Sequence, residues 1–175
     1  MTTNDTDKIP TWVGRQLVAI NKVEAHRKGL LHKGVAVFVI CKGHMLIHQR
    51  AENKFHSPAL WASACYAHPR WDEPAETCAH RRLYEDMGLR DLDLIHRDTL
   101  QYRAKLNEGM IEHEVADIFA TTVPVRPVMS PNPRDVMDTR WENIPDLVQQ
   151  AQNDPSSYTP LMQIYLRDHV GQMAS

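Results

Sequence analysis

The run Gly34 to Cys41, GVAVFVIC, carries no charge and offers apolar side chains to both sides of an extended chain. A strand that alternates polar and apolar residues can leave one face in water, but this one must be covered twice. It therefore predicts a central strand in a sheet with layers on either side, and the flanking sequence supplies them. Lys42-Gly43 turns the run into a second strand, Met45 to Arg50. After a loop from Ala51 to Ala59, a short strand is expected around Trp61 to Cys65. Pro74 to Met87 reads as the clearest helix. Ala75, Cys78, Ala79, Leu83 and Met87 form one stripe, and Gly88 stands where left-handed backbone closes a helix. Upstream, Gly14-Arg15 joins Trp12-Val13 to Gln16–Ile20 as a hairpin, and Lys22 to Lys28 forms a brief helix ending at Gly29. Downstream, strands near 93–104 and 110–123 flank Lys105 to Gly109 and should pair. A Pro-rich connection (124–133), a strand holding Trp141 and a short helix from Pro145 follow. A final helix runs from the Thr159-Pro160 start signal to about Met173. The expected architecture is one α+β domain spanning 1–175, a sandwich with a mixed, largely antiparallel sheet, with 1–8 as a flexible tail.

The chain has 20 Lys and Arg against 22 Asp and Glu, a formal charge of −2. No basic field is available to hold a nucleic acid or an anionic membrane surface. Mean hydropathy is −0.48, and no long apolar run could span a bilayer. The polar, acidic start MTTNDTDKIP does not read as a secretory signal, so a cytoplasmic location is expected. Cys41, Cys65 and Cys78 are odd in number and lack CxxC spacing, which argues against a disulfide framework or a zinc knuckle.

Ten His residues are many for 175 positions. His26 and His32 flank the helix-to-strand transition, where only a bend could bring them together. His68 follows a strand in Cys65-Tyr66-Ala67-His68-Pro69. Glu112 and Glu114, two apart on a strand, share a face continued by Ala116 and Ile118, roughly 7 Å apart along the chain. If that face looks inward, the two carboxylates need a cation or a shared proton. If it looks outward, they are a solvated strand end, and the His residues are surface groups. Three imidazoles with two carboxylates would suit Mn, Fe or Zn better than Mg, which prefers oxygen. On the helix, Arg81–Glu85 and Arg82–Asp86 have i,i+4 spacing. They are either surface ion pairs worth about 0.2–0.5 kcal/mol each or part of an acidic Mg²⁺–diphosphate site to which Lys22, Arg50 and Lys54 add positive charge.

Taken together, these motifs resemble the type I isopentenyl-diphosphate Δ-isomerases, which have a Nudix-like α/β/α sandwich fold. The resemblance runs from about Lys22 to Pro160. It rests on Lys22-x3-His26 with His32, Arg50-x3-Lys54, and Trp61 with Ala67-His68-Pro69. It continues in the degenerate Nudix helix Glu73-x7-Arg81-Arg82-Leu83-x-Glu85-Asp86-x-Gly88-Leu89, Tyr102-Arg103-Ala104 and Glu112-x-Glu114-Val115. The resemblance implies that His26, His32, His68, Glu112 and Glu114 bind one divalent ion, Mn²⁺ or Zn²⁺. It implies that Lys22, Arg50, Lys54 and Arg82 hold a prenyl diphosphate, and that Mg²⁺ bridges the diphosphate to Asp86. The implied reaction interconverts isopentenyl and dimethylallyl diphosphate by adding one proton and removing another, in isoprenoid biosynthesis. Glu114, assisted by Tyr102, would serve one side of the substrate and a Cys the other.

The chain departs from that pattern at the second group. The family reads Trp-x-Asn-x-x-Cys-x-His-Pro, and this chain reads Trp61-Ala62-Ser63-Ala64-Cys65-Tyr66-Ala67-His68-Pro69. Tyr66 stands at the family's Cys, with Cys65 one position early and, on a strand, facing the other way unless the backbone bulges. Leu161 replaces a Trp that faces the carbocation, and Asp86 replaces Glu. These changes leave open a protein that binds metal and prenyl diphosphate with altered or lost catalysis. A Nudix-type diphosphate hydrolase is a further alternative, opposed by Arg82 standing where hydrolytic helices carry a metal-binding Glu.

Overall fold

The computed structural model describes residues 7–172. Strands β1 (Lys8–Val13) and β2 (Gln16–Asn21) form the expected hairpin around Gly14. Helix α1 (Lys22–Lys28) follows and ends on left-handed Gly29. Two residues of the expected flexible tail 1–8 are held in place, Lys8 in β1 and Asp7 by its pairing with Lys22 at 3.1 Å; residues 1–6 lie outside the described residues.

The central strand β3 (His32–Cys41) is buried along nearly its whole length. It borders four strands. It runs parallel to β8 (Ile111–Thr122) and antiparallel to β1, β4 (His44–Arg50) and β6 (Cys65–Ala67). The expected single strand at 61–65 is two pieces, because β5 (Trp61–Ala62) pairs with β4 and β6 pairs with β3. The hairpin of β7 (Ile95–Lys105) with β8 and the edge strand β9 (Val136–Asn143) on β4 complete a mixed nine-stranded sheet.

Both faces are covered, as the central run requires. Helix α2 (Ala75–Met87) packs Cys78, Ala79, Leu83 and Met87 on Val35, Val37, Val39 and Phe119. On the other face, α3 (Ile144–Asn153) and α4 (Pro160–Asp168) bring Leu147, Leu161, Met162 and Tyr165 onto Ala36, Phe38, Met45 and Ile118. Leu161 is a core residue in this layer. The last helix is shorter than expected: α4 ends at Asp168, a 3-10 turn spans Val170–Gln172, and Met173 lies outside the described residues. No helix among the described residues is long and apolar enough to cross a membrane.

Candidate metal centre and its basic mouth

The bend that His26 and His32 require is present. Asn21 caps α1, its side chain accepting from the Val23 and Glu24 amides. At the other end Gly29 (φ 63°) reverses the chain into β3. His26, in the last turn of α1, thereby meets His32, the first residue of β3, with ring centroids 4.5 Å apart. His68, just beyond β6, joins them at 5.2 and 5.0 Å.

All three rings are oriented by backbone carbonyls. His26 Nδ1 lies 2.6 Å from Lys22 O, His32 Nδ1 2.8 Å from Leu30 O, and His68 Nδ1 3.1 Å from Lys33 O. A ring that donates Nδ1–H to a carbonyl presents an unprotonated Nε2, the arrangement typical of metal-binding imidazole.

Glu112 and Glu114 face inward, so the reading of a solvated strand end falls. Both are buried on the face continued by Ala116 and Ile118. The parallel register sets Glu114 beside His32, and Glu114 Oε2 lies 3.6 Å from both His32 Nε2 and His68 Nδ1. Gly34 makes room for it: a Cβ there would fall 1.9 Å from Glu114 Oε1. Tyr66 points into the same space. Its hydroxyl hydrogen-bonds Glu112 Oε1 and lies 3.0 Å from Glu114 Oε2 and 3.2 Å from the Tyr102 hydroxyl.

The electrostatics follow from burial. Desolvation, then the charge of Glu114, pushes the Glu112 carboxyl up. Desolvation also pushes both phenols well above their usual range, with the two carboxylates adding to it. Burial, then repulsion from His32, lowers His26 to about 4, and burial lowers His68. Burial pulls His32 down too, but the neighbouring Glu114 carboxylate outweighs it and raises that imidazole.

His26 Nε2, His32 Nε2, Glu112 Oε2 and Glu114 Oε1 are buried with no hydrogen-bond partner. An orphaned buried polar atom costs on the order of 1–3 kcal/mol, and four belong to these side chains. One nitrogen or oxygen from each of His32, His68 and Glu114 lies within 4.8 Å of the other two. The donor set fits a divalent cation.

Outside this centre lies a cleft of about 300 Å³ whose lining includes Lys22, Arg50, Lys54 and Arg82, the four expected basic residues. Arg50 is buried, donating from Nε to Ser57 O and from Nη2 to His56 O, each at 3.1 Å. Lys54 pairs with Asp135, and Arg82 pairs with Asp86 at 2.7 Å. Burial lifts the Asp86 carboxyl to about 6, against the pull of Arg82. Both i,i+4 pairs of α2 form, and Arg81 is also held by Glu73 through Nε at 2.6 Å and Nη2 at 2.8 Å.

Cys65 is the expected site residue that the fold does not bring to this space. Strand β6 keeps an unbroken register against β3, so no bulge turns the thiol around. Cys65 is buried with Cys78, Ala79 and Leu83 beneath α2, and burial raises its thiol well above its usual range. Sequence reasoning also missed three residues. His56 and Asp135 sit in loops without periodicity, and the proximity of Gly34 to Glu114 depends on strand pairing. The His56-Ser57-Pro58 loop beside the basic Arg50-x3-Lys54 was the available signal for the first.

The NUDIX domain family matches residues 30–163. Proteins named isopentenyl-diphosphate Delta-isomerase are similar along nearly the whole chain. That of Roseobacter denitrificans is 48% identical over 164 residues, covering 94% of this chain and 93% of its own. That of Jannaschia sp. is 45% identical over 166 residues, with the same coverage. Among solved structures, a protein of Deinococcus radiodurans superposes with TM-score 0.75 at 14% identity, covering 93% of this chain and 99% of that one. A MutT NUDIX hydrolase of Burkholderia pseudomallei gives 0.63 at 18% identity, covering 80% and 98%. The structural likenesses speak for the fold, and the sequence relatives, at almost full length, speak for the branch: this chain belongs to the NUDIX domain family and, within it, to the isopentenyl-diphosphate Delta-isomerases.

Proposed function

We propose that the protein interconverts isopentenyl and dimethylallyl diphosphate in the cytoplasm, with proton transfer carried by Glu114, Tyr102 and Tyr66. The observation that supports this best is the convergence of Glu112, Glu114, Tyr66 and Tyr102 with three oriented imidazoles behind a basic cleft. Lys22, Arg50, Lys54 and Arg82 neutralise the diphosphate, and Asp86 offers a carboxylate to a Mg²⁺ accompanying it. A divalent ion, Mn²⁺ or Zn²⁺, held by His26, His32, His68, Glu112 and Glu114 would fix both carboxylates and lower their proton affinity.

Glu114 gives its proton to the terminal alkene carbon, producing a tertiary carbocation that burial shields from water. The second proton leaves the allylic carbon. Tyr66 stands at the position of the family's Cys, and its phenol stays protonated at neutral pH. It accepts a proton from carbon only by passing its own to Glu112, to which it is already hydrogen-bonded. The carboxyl pair then ends the cycle with as many protons as it began.

A second reading, binding of metal and prenyl diphosphate without turnover, is favoured by one observation: the thiol nearest the family position faces α2. Proton NMR of the Mg²⁺- and Mn²⁺-loaded protein with isopentenyl diphosphate in heavy water separates the two. Deuterated dimethylallyl diphosphate is the expected product, and Glu114→Gln should lower its rate by roughly 10²–10⁴-fold. Neither exchange nor product, with fold and metal intact, would leave the binding reading; release of phosphate would mean hydrolysis.

A further inference from the structure

A fourth imidazole lies against the three of the candidate centre. His56, in the loop between β4 and β5, is buried against the other rings. It stacks on His26 with centroids 4.8 Å apart and planes 20° apart, and its centroid lies 6.5 Å from that of His68. One nitrogen each from His26, His56 and His68 lies within 4.8 Å of the other two. This trio shares His68 with the group His32, His68 and Glu114, so the two sets of donors surround adjoining parts of one space.

The loop that carries His56 is anchored on both sides of it. Arg50 holds the His56 and Ser57 carbonyls, the Ser57 amide donates to Asn107 Oδ1 at 2.9 Å, and the Ala59 amide donates to Arg50 O at 3.1 Å. Ser57 adopts φ 48°, a left-handed conformation uncommon for a residue other than glycine. The backbone is thus committed to presenting this ring inward. Its own polar contact is weak: Nδ1 lies 3.4 Å from Ser57 Oγ. An imidazole buried so deeply with so little hydrogen bonding is accounted for if it donates to a cation.

We infer that His56 is a fourth nitrogen ligand of the divalent centre, biasing it toward ions that favour imidazole, such as Zn²⁺ and Co²⁺, over oxygen-seeking Mg²⁺. The inference rests on the proposed centre of His26, His32, His68, Glu112 and Glu114.

The test is metal binding by the full chain, stripped of metal and titrated with Co²⁺ and Zn²⁺ against a competing chelator. The visible absorption of bound Co²⁺ reports its coordination. His56→Ala and His56→Gln should each weaken both ions at least as much as the roughly 10–100-fold cost of losing an outer-shell partner. They should also change the Co²⁺ spectrum, and Mg²⁺ binding should move less. His26→Ala is the reference for the centre itself and should bind both ions still more weakly. If either folded His56 variant keeps wild-type affinity and spectrum while His26→Ala loses binding, the centre stands and the role of His56 is overturned. If His26→Ala also binds as wild type, the centre itself is wrong and the inference falls with it.

Discussion

The inner centre and the outer mouth are both crowded with charge-bearing side chains, yet their polar atoms are satisfied in opposite ways. At the mouth charges answer each other, Lys54 with Asp135, Arg81 with Glu73 and Glu85, Arg82 with Asp86, and Arg82 Nε is the one mouth atom left buried without a partner among the described residues. In the centre, a few residues away, four buried donor atoms have no partner. Charge pairs lining a cleft that opens to water can exchange partners with an entering ligand, because each lost partner is replaced by another charge. Buried atoms cannot, so their lack of partners is informative. The centre is built around something the protein must acquire, whereas the mouth is built to exchange one set of ionic partners for another.

The strongest way to break this contrast is to fill the centre from the backbone. Gly34→Ala places a methyl group 1.9 Å from Glu114 Oε1 and 2.0 Å from its Cδ. Glu114 is buried, so either its carboxylate moves out of line or the β3–β8 pairing opens. Overpacking of this kind costs about 1–3 kcal/mol, and the displaced ligand should take metal binding and turnover with it. Thermal unfolding with and without Zn²⁺ measures both. A variant of wild-type stability and full metal uptake would show that the close approach is incidental.

Much of the frame was legible in the sequence because it depends on local rules. The charge-free run of β3 demanded two covering layers, Gly29 and Gly88 marked the ends of α1 and α2, and Gly14-Arg15 marked the first hairpin. Glu112 and Glu114 could be assigned to one face by period alone, but not to the inside. That needed the parallel register with β3, a contact between residues about eighty positions apart. The break between β5 and β6 was illegible for a similar reason: Trp61 and Cys65 answer to different partner strands. His56 and Asp135 lie in loops where no periodicity points at anything, and only the folded chain brings them to the cleft.

His48 sharpens the comparison, being a buried imidazole that lies outside the centre. Its Nδ1 lies 2.6 Å from Ser63 O, and burial lowers it from 6.5 to about 4. The unfolded chain gains a proton here as pH falls below 6.5, and the folded protein does so only near 4. Stability is therefore intact above pH 6.5 and declines between 6.5 and 4, by about 3 kcal/mol at the rate of 1.36 kcal/mol per unit. His48→Gln should remove that part of the acid sensitivity. Adding Zn²⁺ should leave the wild-type minus variant difference unchanged. Denaturant unfolding at pH 7 and pH 5 checks this; a difference that disappears with metal would make His48 part of the centre.

The smallest effect belongs to the mouth. Glu73 meets Arg81 through two hydrogen bonds, from Nε to Oε1 at 2.6 Å and from Nη2 to Oε2 at 2.8 Å. Those bonds hold the carboxyl below its usual range, so the contribution is present at neutral pH and is lost as acid protonates it. Glu73→Gln keeps the shape and removes the charge. Arg81 retains Glu85 at 3.0 Å, so the loss at pH 7 should be about 1 kcal/mol, the net worth of a typical hydrogen bond. The variant should shift in 1 M salt by less than the wild type, since screening has less left to weaken. Its affinity for Zn²⁺ should match the wild type, because no orphaned atom of the centre has been touched. A Glu73→Gln protein that lost metal as well as ion pairing would mean that rim and centre are one network, and the division drawn between them would have to be abandoned.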